Sequence, residues 1–578
     1  MASESARAPS RAAALGLVGL LFCAMAALRV CADGTLGPRD LKKAKLVKGG
    51  DGSDYYYADN LAPGFASELC KDHGSAIGVF RGPYLQAGGH DRVIVRWSSE
   101  AQVRRLQSSE PSSCYYSACS TKKKNCRHRR TIPDTFALSQ PPPPQGFGVV
   151  CYGTSPGNMA SVAFDEESFP RGTEHSVSIS GLLPSTEYYY VVAVTSAQRL
   201  APVEKEVEAF SGWGGSPRAE EDSWSFLVEE VEEAGTGLEG SSLGIVSPGA
   251  YHSFSTFPRP LRDSPPPVRV WAIGDSGMGD DNARRVRDAF LNFTGGDWDL
   301  TLGLGDLAYG SGREYEYQRN LFDVYQEQNA RIPIFTTPGN HDRPTSDMWK
   351  QTGPYFDLFT NPGDGNSGGV ASNHKSYYSF DYGKVHFVSV DSDQLGLEDD
   401  PALYAWLERD LEAASKAGYD WIVAYHHQPP YSKGSHDSDR EYECYKLRSN
   451  LVPTFEKYGV DLVLAGHSHS YERSHLLDRH LGSSGEIYSN PGVVKARWSK
   501  DGILVKRGSG PNSGTVYVVA GSAAKTGGGS LNHPAMDKGI NEIGSLLLEF
   551  DGEDLTMYLV GSAPGQVLDK SVMRKHPW

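Results

Sequence analysis

Five short apolar runs in the second half of the chain each break off into a tight turn that carries oxygen or nitrogen donors. Val268 to Ile273 ends in Gly274-Asp-Ser-Gly277, and Asp299 to Leu304 ends in Gly305-Asp-Leu-Ala-Tyr309. Ile332 to Thr336 leads into Pro338-Gly-Asn-His-Asp342, and Trp421 to Tyr425 into His426-His-Gln-Pro-Pro-Tyr431. Val460 to Ala465 leads into Gly466-His-Ser-His469. Runs of this length with no polar face read as buried strands. The glycines let the backbone turn sharply and come close to a bound group.

Helical patterns separate these runs. Asn282 to Leu291 is amphipathic, and Asp400-Pro401 opens a helix whose apolar face holds Leu403, Trp406, Leu407, Leu411 and Ala414 before Gly418. Asp suits the cap and Pro the first helical position. With further strands at Val385 to Val390 and Val516 to Ala520, the alternation predicts an α/β layered fold. In such a fold, ligands gather beyond the carboxyl ends of the strands.

Each donor alone has an ordinary explanation: Asp275 as a loop aspartate, Asn340-His341 as a turn, His467 and His469 as solvated loop histidines. Placement of such residues at five consecutive strand ends is not expected by chance. Carboxylate, amide oxygen and imidazole suit hard or borderline ions such as iron, manganese and zinc. Seven donors exceed the needs of one ion and suit two that share a carboxylate. A pair of ions with open positions suits displacement at phosphorus.

The first half of the chain reads differently. From Ile77 it shows short strands between turns: Val93 to Trp97, Phe147 to Tyr152, His175 to Ile179, Glu187 to Val194 and Tyr251 to Phe257. With no helical period, these predict a β-sandwich. Two insertions interrupt it. One, about 98–145, holds a basic cluster at Lys122 to Arg130 and a proline run; the other, about 200–250, is acidic and rich in Gly and Ser. Both read as solvated segments outside the core. Pro265-Pro-Pro267 makes a stiff linker.

At the start, Arg7 and Arg11 precede an uncharged run from Ala12 to Leu28, and Val30-Cys31-Ala32 fits a cleavage site. A cleaved secretory signal over 1–32 is preferred to an uncleaved anchor, for which the run is short. No later segment is apolar enough to span a bilayer. Beyond the signal lie Cys70, Cys114, Cys119, Cys126, Cys151 and Cys444. In an oxidising compartment these suit up to three disulfides better than zinc ligation, with Cys444 a candidate to stay unpaired. Asn292-Phe-Thr294 is a glycosylation sequon. The net charge of −15 argues against nucleic acid as a partner.

Taken in order, GDSG, GDLAY, GNHD, the histidines before QPPY, and GHSH resemble the five blocks of the calcineurin-like metallophosphoesterases. The tyrosine of GDLAY narrows the resemblance to the purple acid phosphatases. Arg81-Gly-Pro-Tyr-Leu-Gln86, Tyr152-Gly-Thr and the Gly181 to Tyr190 turn resemble the fibronectin-III-like domain of plant-type members. The resemblance implies a catalytic domain over 263–578 built of two mixed sheets flanked by helices. An all-β domain over 77–262 would precede it, after an N-terminal segment at 33–76.

It further implies Fe(III) held by Asp275, Tyr309 and His469, a divalent ion (iron, zinc or manganese) held by Asn340, His427 and His467, and Asp306 bridging both. His341 and His436 match histidines that contact the phosphate and assist the leaving group. One block departs from pattern: spacing from Val423 fits His426, whereas the Pro-Pro-Tyr continuation fits His427, which is favoured. The expected activity is hydrolysis of small phosphate monoesters at mildly acid pH by a metal-held hydroxide, on the secretory route to an extracellular or vacuolar-type compartment. A homodimer is compatible with the family. A phosphodiesterase or nucleotide pyrophosphatase, or a binding protein that keeps only the fold, are the alternatives.

Overall fold

The computed structural model describes residues 44–48, 54–58, 79–99, 146–156, 159, 161–165, 174–196, 243–245, 251–262, 267–393 and 400–576. The expected signal segment, most of both insertions, Cys70, Cys114, Cys119, Cys126, Pro265 and Pro266 lie outside them. Ahead of the sandwich, Ala44–Lys48 and Asp54–Ala58 pair as an antiparallel hairpin.

Strands Val79–Gln86, Arg92–Ser99 and Glu174–Ser180 form one sheet of the N-terminal half. Gly146–Gly153, Ser161–Phe164, Glu187–Ser196, Leu243–Ile245 and His252–Ser255 form the other. Alternation at period two sends Leu85, Val95, Trp97, Val150, Val177 and Tyr190 into a shared core. Leu243–Ile245 falls within the second expected insertion yet pairs with Glu187–Ser196, so the sheet reaches further than its composition suggests.

The C-terminal half holds two seven-stranded mixed sheets. In the first, Val268–Ile273, Leu300–Gly303 and Ile334–Thr336 run parallel, and Gly544–Asp551 extends the sheet antiparallel. In the second, Val385–Ser389, Trp421–His426, Leu462–Ala465 and Val516–Ala520 run parallel in that order. The sheets face each other across a core that includes Val270, Leu302, Phe380, Val423, Leu464 and Leu548.

Helices cover the outer faces. Pro401–Ala417 starts at Asp400, whose side chain accepts from the Ala402 and Leu403 amides, and stops at Gly418 with φ of 90°. Its expected apolar face is buried, each large side chain contributing about 1.5–3 kcal/mol. Tyr442–Lys457, not expected from sequence, carries Pro453 in its interior and lacks a side-chain cap bond. Both features hide a helix from pattern reading. Cys444 on that helix is a buried free thiol.

The two halves are joined by polar contacts as well as packing. Arg81, fully buried on the sandwich, donates to Gln318 Oε1 (2.9 Å), pairs with Glu174 and Glu314, and lies over the Phe322 ring. Tyr84 donates to the Leu358 carbonyl and Tyr190 to that of Ala330. Gln318–Phe322 is a π-helical turn. From it Asn320 Nδ2 donates to the Tyr309 carbonyl at 2.7 Å, so the sandwich braces the loop that carries this tyrosine. No helix among the described residues is long and apolar enough to cross a membrane.

Candidate metal centre

The parallel strands of both sheets point their carboxyl ends at one cleft, and the five polar turns meet there. Asp275 and Asp306 follow the first two strands with φ of 58° and 53°, and His467 follows Leu462–Ala465 with φ of 65°. These left-handed backbones cost a non-glycine residue energy, so the turns are held by their surroundings. Two glycines permit close approach: a Cβ on Gly339 would lie 2.2 Å from Asp306 Oδ1, and one on Gly466 2.7 Å from Asp275 Oδ2.

Contacts among the seven expected donors fall into two triplets. In one, the Tyr309 hydroxyl donates to Asp275 Oδ1 (2.8 Å) and lies 3.2 Å from His469 Nε2, which is 3.3 Å from the same Asp275 oxygen. In the other, Asn340 Oδ1 lies 3.1 Å from His427 Nε2 and 2.9 Å from His467 Nδ1. Asp306 stands between them, with Oδ1 3.4 Å from His427 Nε2. One ligand-type atom each from Asp275, Asp306 and His427 fall within 4.8 Å of one another.

The two adjacent histidines part company. Consecutive residues leaving a strand point to opposite sides. His427 enters the cleft, whereas His426 is buried against Phe455, where loss of water pushes its imidazole down to about 3. His427 Nδ1 faces the Leu304 carbonyl at 2.8 Å. A carbonyl only accepts, so Nδ1 carries the hydrogen and Nε2 is the atom left to face the cluster.

Burial disfavours charge on His427, but Asp306 beside it outweighs that and raises the imidazole to about 10. Asp306 is correspondingly held below the usual carboxylate range despite its burial, by His427 and the His341 amide. Burial, then Asp275, push the Tyr309 phenol up. Protons thus occupy the places where a cation would draw on the same donors, and cation uptake must displace them. Buried carboxylates, an amide oxygen, a phenol and imidazoles with one nitrogen free make a donor set that fits two adjacent cations.

His341 lies beside the cluster: its amide donates to Asp306 Oδ1 (2.9 Å), its Nδ1 meets the Gly310 carbonyl (2.8 Å), and its ring is 4.4 Å from that of Tyr309. His436 packs against His467 with ring centroids 3.8 Å apart and the rings tilted by 31°, and its Nδ1 meets both Glu441 oxygens at 2.9 and 3.0 Å.

Glu441 was not expected. It also reaches to 3.6 Å from His467 Nε2, and with His436 and His467 forms a second cluster of ligand type. Its only sequence signal is an acidic residue just before a helix that the pattern does not reveal. Asp342, whose role the GNHD turn leaves unstated, is fully buried and accepts from the Leu307 and Gly339 amides and the Tyr317 hydroxyl. It locks the second turn to the third; burial and nearby Asp306 raise its carboxyl to about 7. Lys525 lies with Nζ 3.8 Å from the centre of the Tyr309 ring.

Residues 268–471 match the calcineurin-like phosphoesterase family. The chain is 28% identical over 349 residues to purple acid phosphatase 23 of Arabidopsis thaliana, covering 56% of this chain and 62% of that protein. It is 30% identical over 241 residues to acid phosphatase type 7 of Homo sapiens, covering 39% of this chain and 52% of that protein. Other matches are named as a nucleotide pyrophosphatase/phosphodiesterase and as probable inactive purple acid phosphatases. The chain spans roughly half to three-fifths of the length of the first curated relatives it matches. Among solved structures, purple acid phosphatase PPD1 from yellow lupin seeds superposes with a TM-score of 0.54 at 16% identity, covering 92% of this chain and 79% of that one.

Proposed function

We propose, from a calcineurin-like phosphoesterase domain whose relatives are purple acid phosphatases, that this protein is an acid phosphatase acting on phosphate monoesters. The supporting observation is the pair of contacting triplets with Asp306 between them. In this reading Asp275, Tyr309 and His469 hold Fe(III), Asn340, His427 and His467 hold divalent iron, zinc or manganese, and Asp306 serves both. When bound, the two ions supply Lewis acidity toward the phosphoryl oxygens and acidify a water to a nucleophile.

The chain's own groups do the rest. His427 keeps Nε2 toward the cluster because Leu304 holds Nδ1. His341 has Nδ1 committed to Gly310 and His436 has Nδ1 committed to Glu441, so in each ring Nε2 is the atom free to face substrate. There they stabilise phosphoryl charge and give a proton to the departing alkoxide. With Nδ1 carrying the hydrogen of the neutral ring, Nε2 can give a proton only from the imidazolium, which favours mildly acid pH. A secretory signal at 1–32, glycosylation at the exposed Asn292 and delivery to an extracellular or vacuolar-type compartment belong to the same reading. The catalytic domain would comprise 263–578 and the sandwich domain 77–262.

Turnover of p-nitrophenyl phosphate against its bis ester, with metal analysis and a visible spectrum, tests the proposal. A faster monoester, iron in the protein, and a visible band lost in Tyr309→Phe are expected. A faster bis ester would assign a phosphodiesterase instead. A folded wild-type protein that binds no metal and turns over neither ester would leave only a binding role.

A further inference from the structure

Two cations beside the cleft are neutralised by carboxylates. Lys433 is paired with Asp437 and Asp439, and Arg343 with Asp391 and Asp393. Lys525 has no carboxylate partner among the described residues; its contact is with the face of Tyr309. A ring face is a weak partner for an ammonium and leaves its hydrogens free for an anion.

The lysine is also held in place. The Ala523 amide donates to the Gly274 carbonyl, next to Asp275, and the Gly527 amide donates to the carbonyl of His469. Ala523 and Ala524 are fully buried in the aromatic cluster below. The backbone on either side of Lys525 is therefore tied to two of the turns that build the site, and the half-buried side chain crosses the ring that joins Asp275 to His341. Glycines 527 and 529 allow this course: a Cβ on Gly527 would lie 2.2 Å from the Ser435 side chain, and one on Gly529 1.9 Å from the Gly434 carbonyl.

We infer that Lys525 is a substrate-binding cation that selects phosphate monoesters by taking the second anionic oxygen of the phosphoryl group. A monoester offers that oxygen, whereas a diester has spent it on a second ester bond. The inference rests on the phosphomonoesterase reading above and adds the residue that enforces it. Lys525 touches the phosphoryl group but makes and breaks no bond.

The test uses the metal-loaded full chain, with Lys525→Met and Lys525→Arg. Lys525→Met is expected to raise KM for p-nitrophenyl phosphate and the dissociation constant of inorganic phosphate each by about 10-fold, with kcat within about 3-fold. Turnover of the bis ester should stay within about 2-fold, and Lys525→Arg should restore most of the phosphate affinity. Equal loss on both esters, or unchanged phosphate binding in Lys525→Met with unaltered thermal unfolding, would overturn the inference. Wild-type protein that hydrolyses neither ester would instead defeat the phosphatase reading. The phosphate titration still reports on Lys525 in that case.

Discussion

Two histidines of the second sheet have nearly the same surroundings and different prospects. His386, on Val385–Ser389, is buried between Asp381 (2.7 Å from Nδ1) and Asp410 (3.0 Å from Nε2). His427, just past the adjacent strand, is buried beside Asp306. Burial opposes charge on both rings, and in both the carboxylates win and raise the imidazole to about 10. Neither burial nor proton affinity separates them. What separates them is valence. Both nitrogens of His386 are spent on carboxylates that are themselves tied to backbone and hydroxyl donors. His427 spends one nitrogen on a carbonyl and turns the other toward an amide and a carboxylate that also serve as donors. A buried ion pair closed on all sides is architecture; one left open on one side is a place for a cation.

The comparison breaks most visibly at the open end. His467→Ala or His427→Ala should lower turnover by more than about 100-fold and reduce bound metal while the protein still unfolds cooperatively. Near-normal activity in either would sink the assignment. At the closed end the effects invert. His386→Ala strands two buried carboxylates and should destabilise the fold by about 3–5 kcal/mol, leaving the specific activity and metal content of the folded fraction close to wild type. Loss of metal from that variant would erase the distinction.

A pH series sharpens it further. The folded-state affinity of His386 for its proton is raised, so its contribution to stability is whole below the unfolded value of about 6.5. It falls as pH rises toward 10, at about 1.4 kcal/mol per unit within that window. His386→Asn should remove that slope, as read by denaturant melts between pH 7 and 9. Smallest of all, Glu441→Gln keeps the fold but weakens the grip on His436 Nδ1, and about a 10-fold loss in kcat with little change in KM is expected. A larger fall in metal content than in kcat would make Glu441 a ligand instead.

Much of this architecture is legible in the amino-acid sequence. The strands Val268–Ile273 and Val516–Ala520 fall where their apolar runs stop, and the helix after Asp400 begins and ends on its cap residues. The candidate donors were visible because each sits in the turn that follows a strand, where sequence neighbours are also spatial neighbours. Glu441 and Lys525 were not visible for the opposite reason. One precedes a helix with a proline inside it, the other sits in a glycine-rich loop, and each meets the cleft only through contacts distant in sequence. The Gly544–Asp551, Asp554–Gly561 and Val567–His576 strands were also missed; the last carries a half-exposed, mixed face with no clean period, whereas Asp554–Gly561 does alternate, burying Leu555, Met557 and Leu559. Choosing between His426 and His427 needed the side of the strand that faces the cleft, which a motif read from either flank does not supply.

The left-handed turns at Asp275, Asp306 and His467 have an outcome for anyone who engineers this protein. Each sets a side chain where glycine would rest more easily, a standing burden of about 1–2 kcal/mol per position. Asp275 and Asp306 offset that burden by accepting the His467 and His341 amides, so a library screened for heat resistance alone would drift toward glycine chiefly at His467. Its winners would be hardier and inert, and a melting curve would rank them above the parent. The imidazole at that turn is kept against the backbone's own preference.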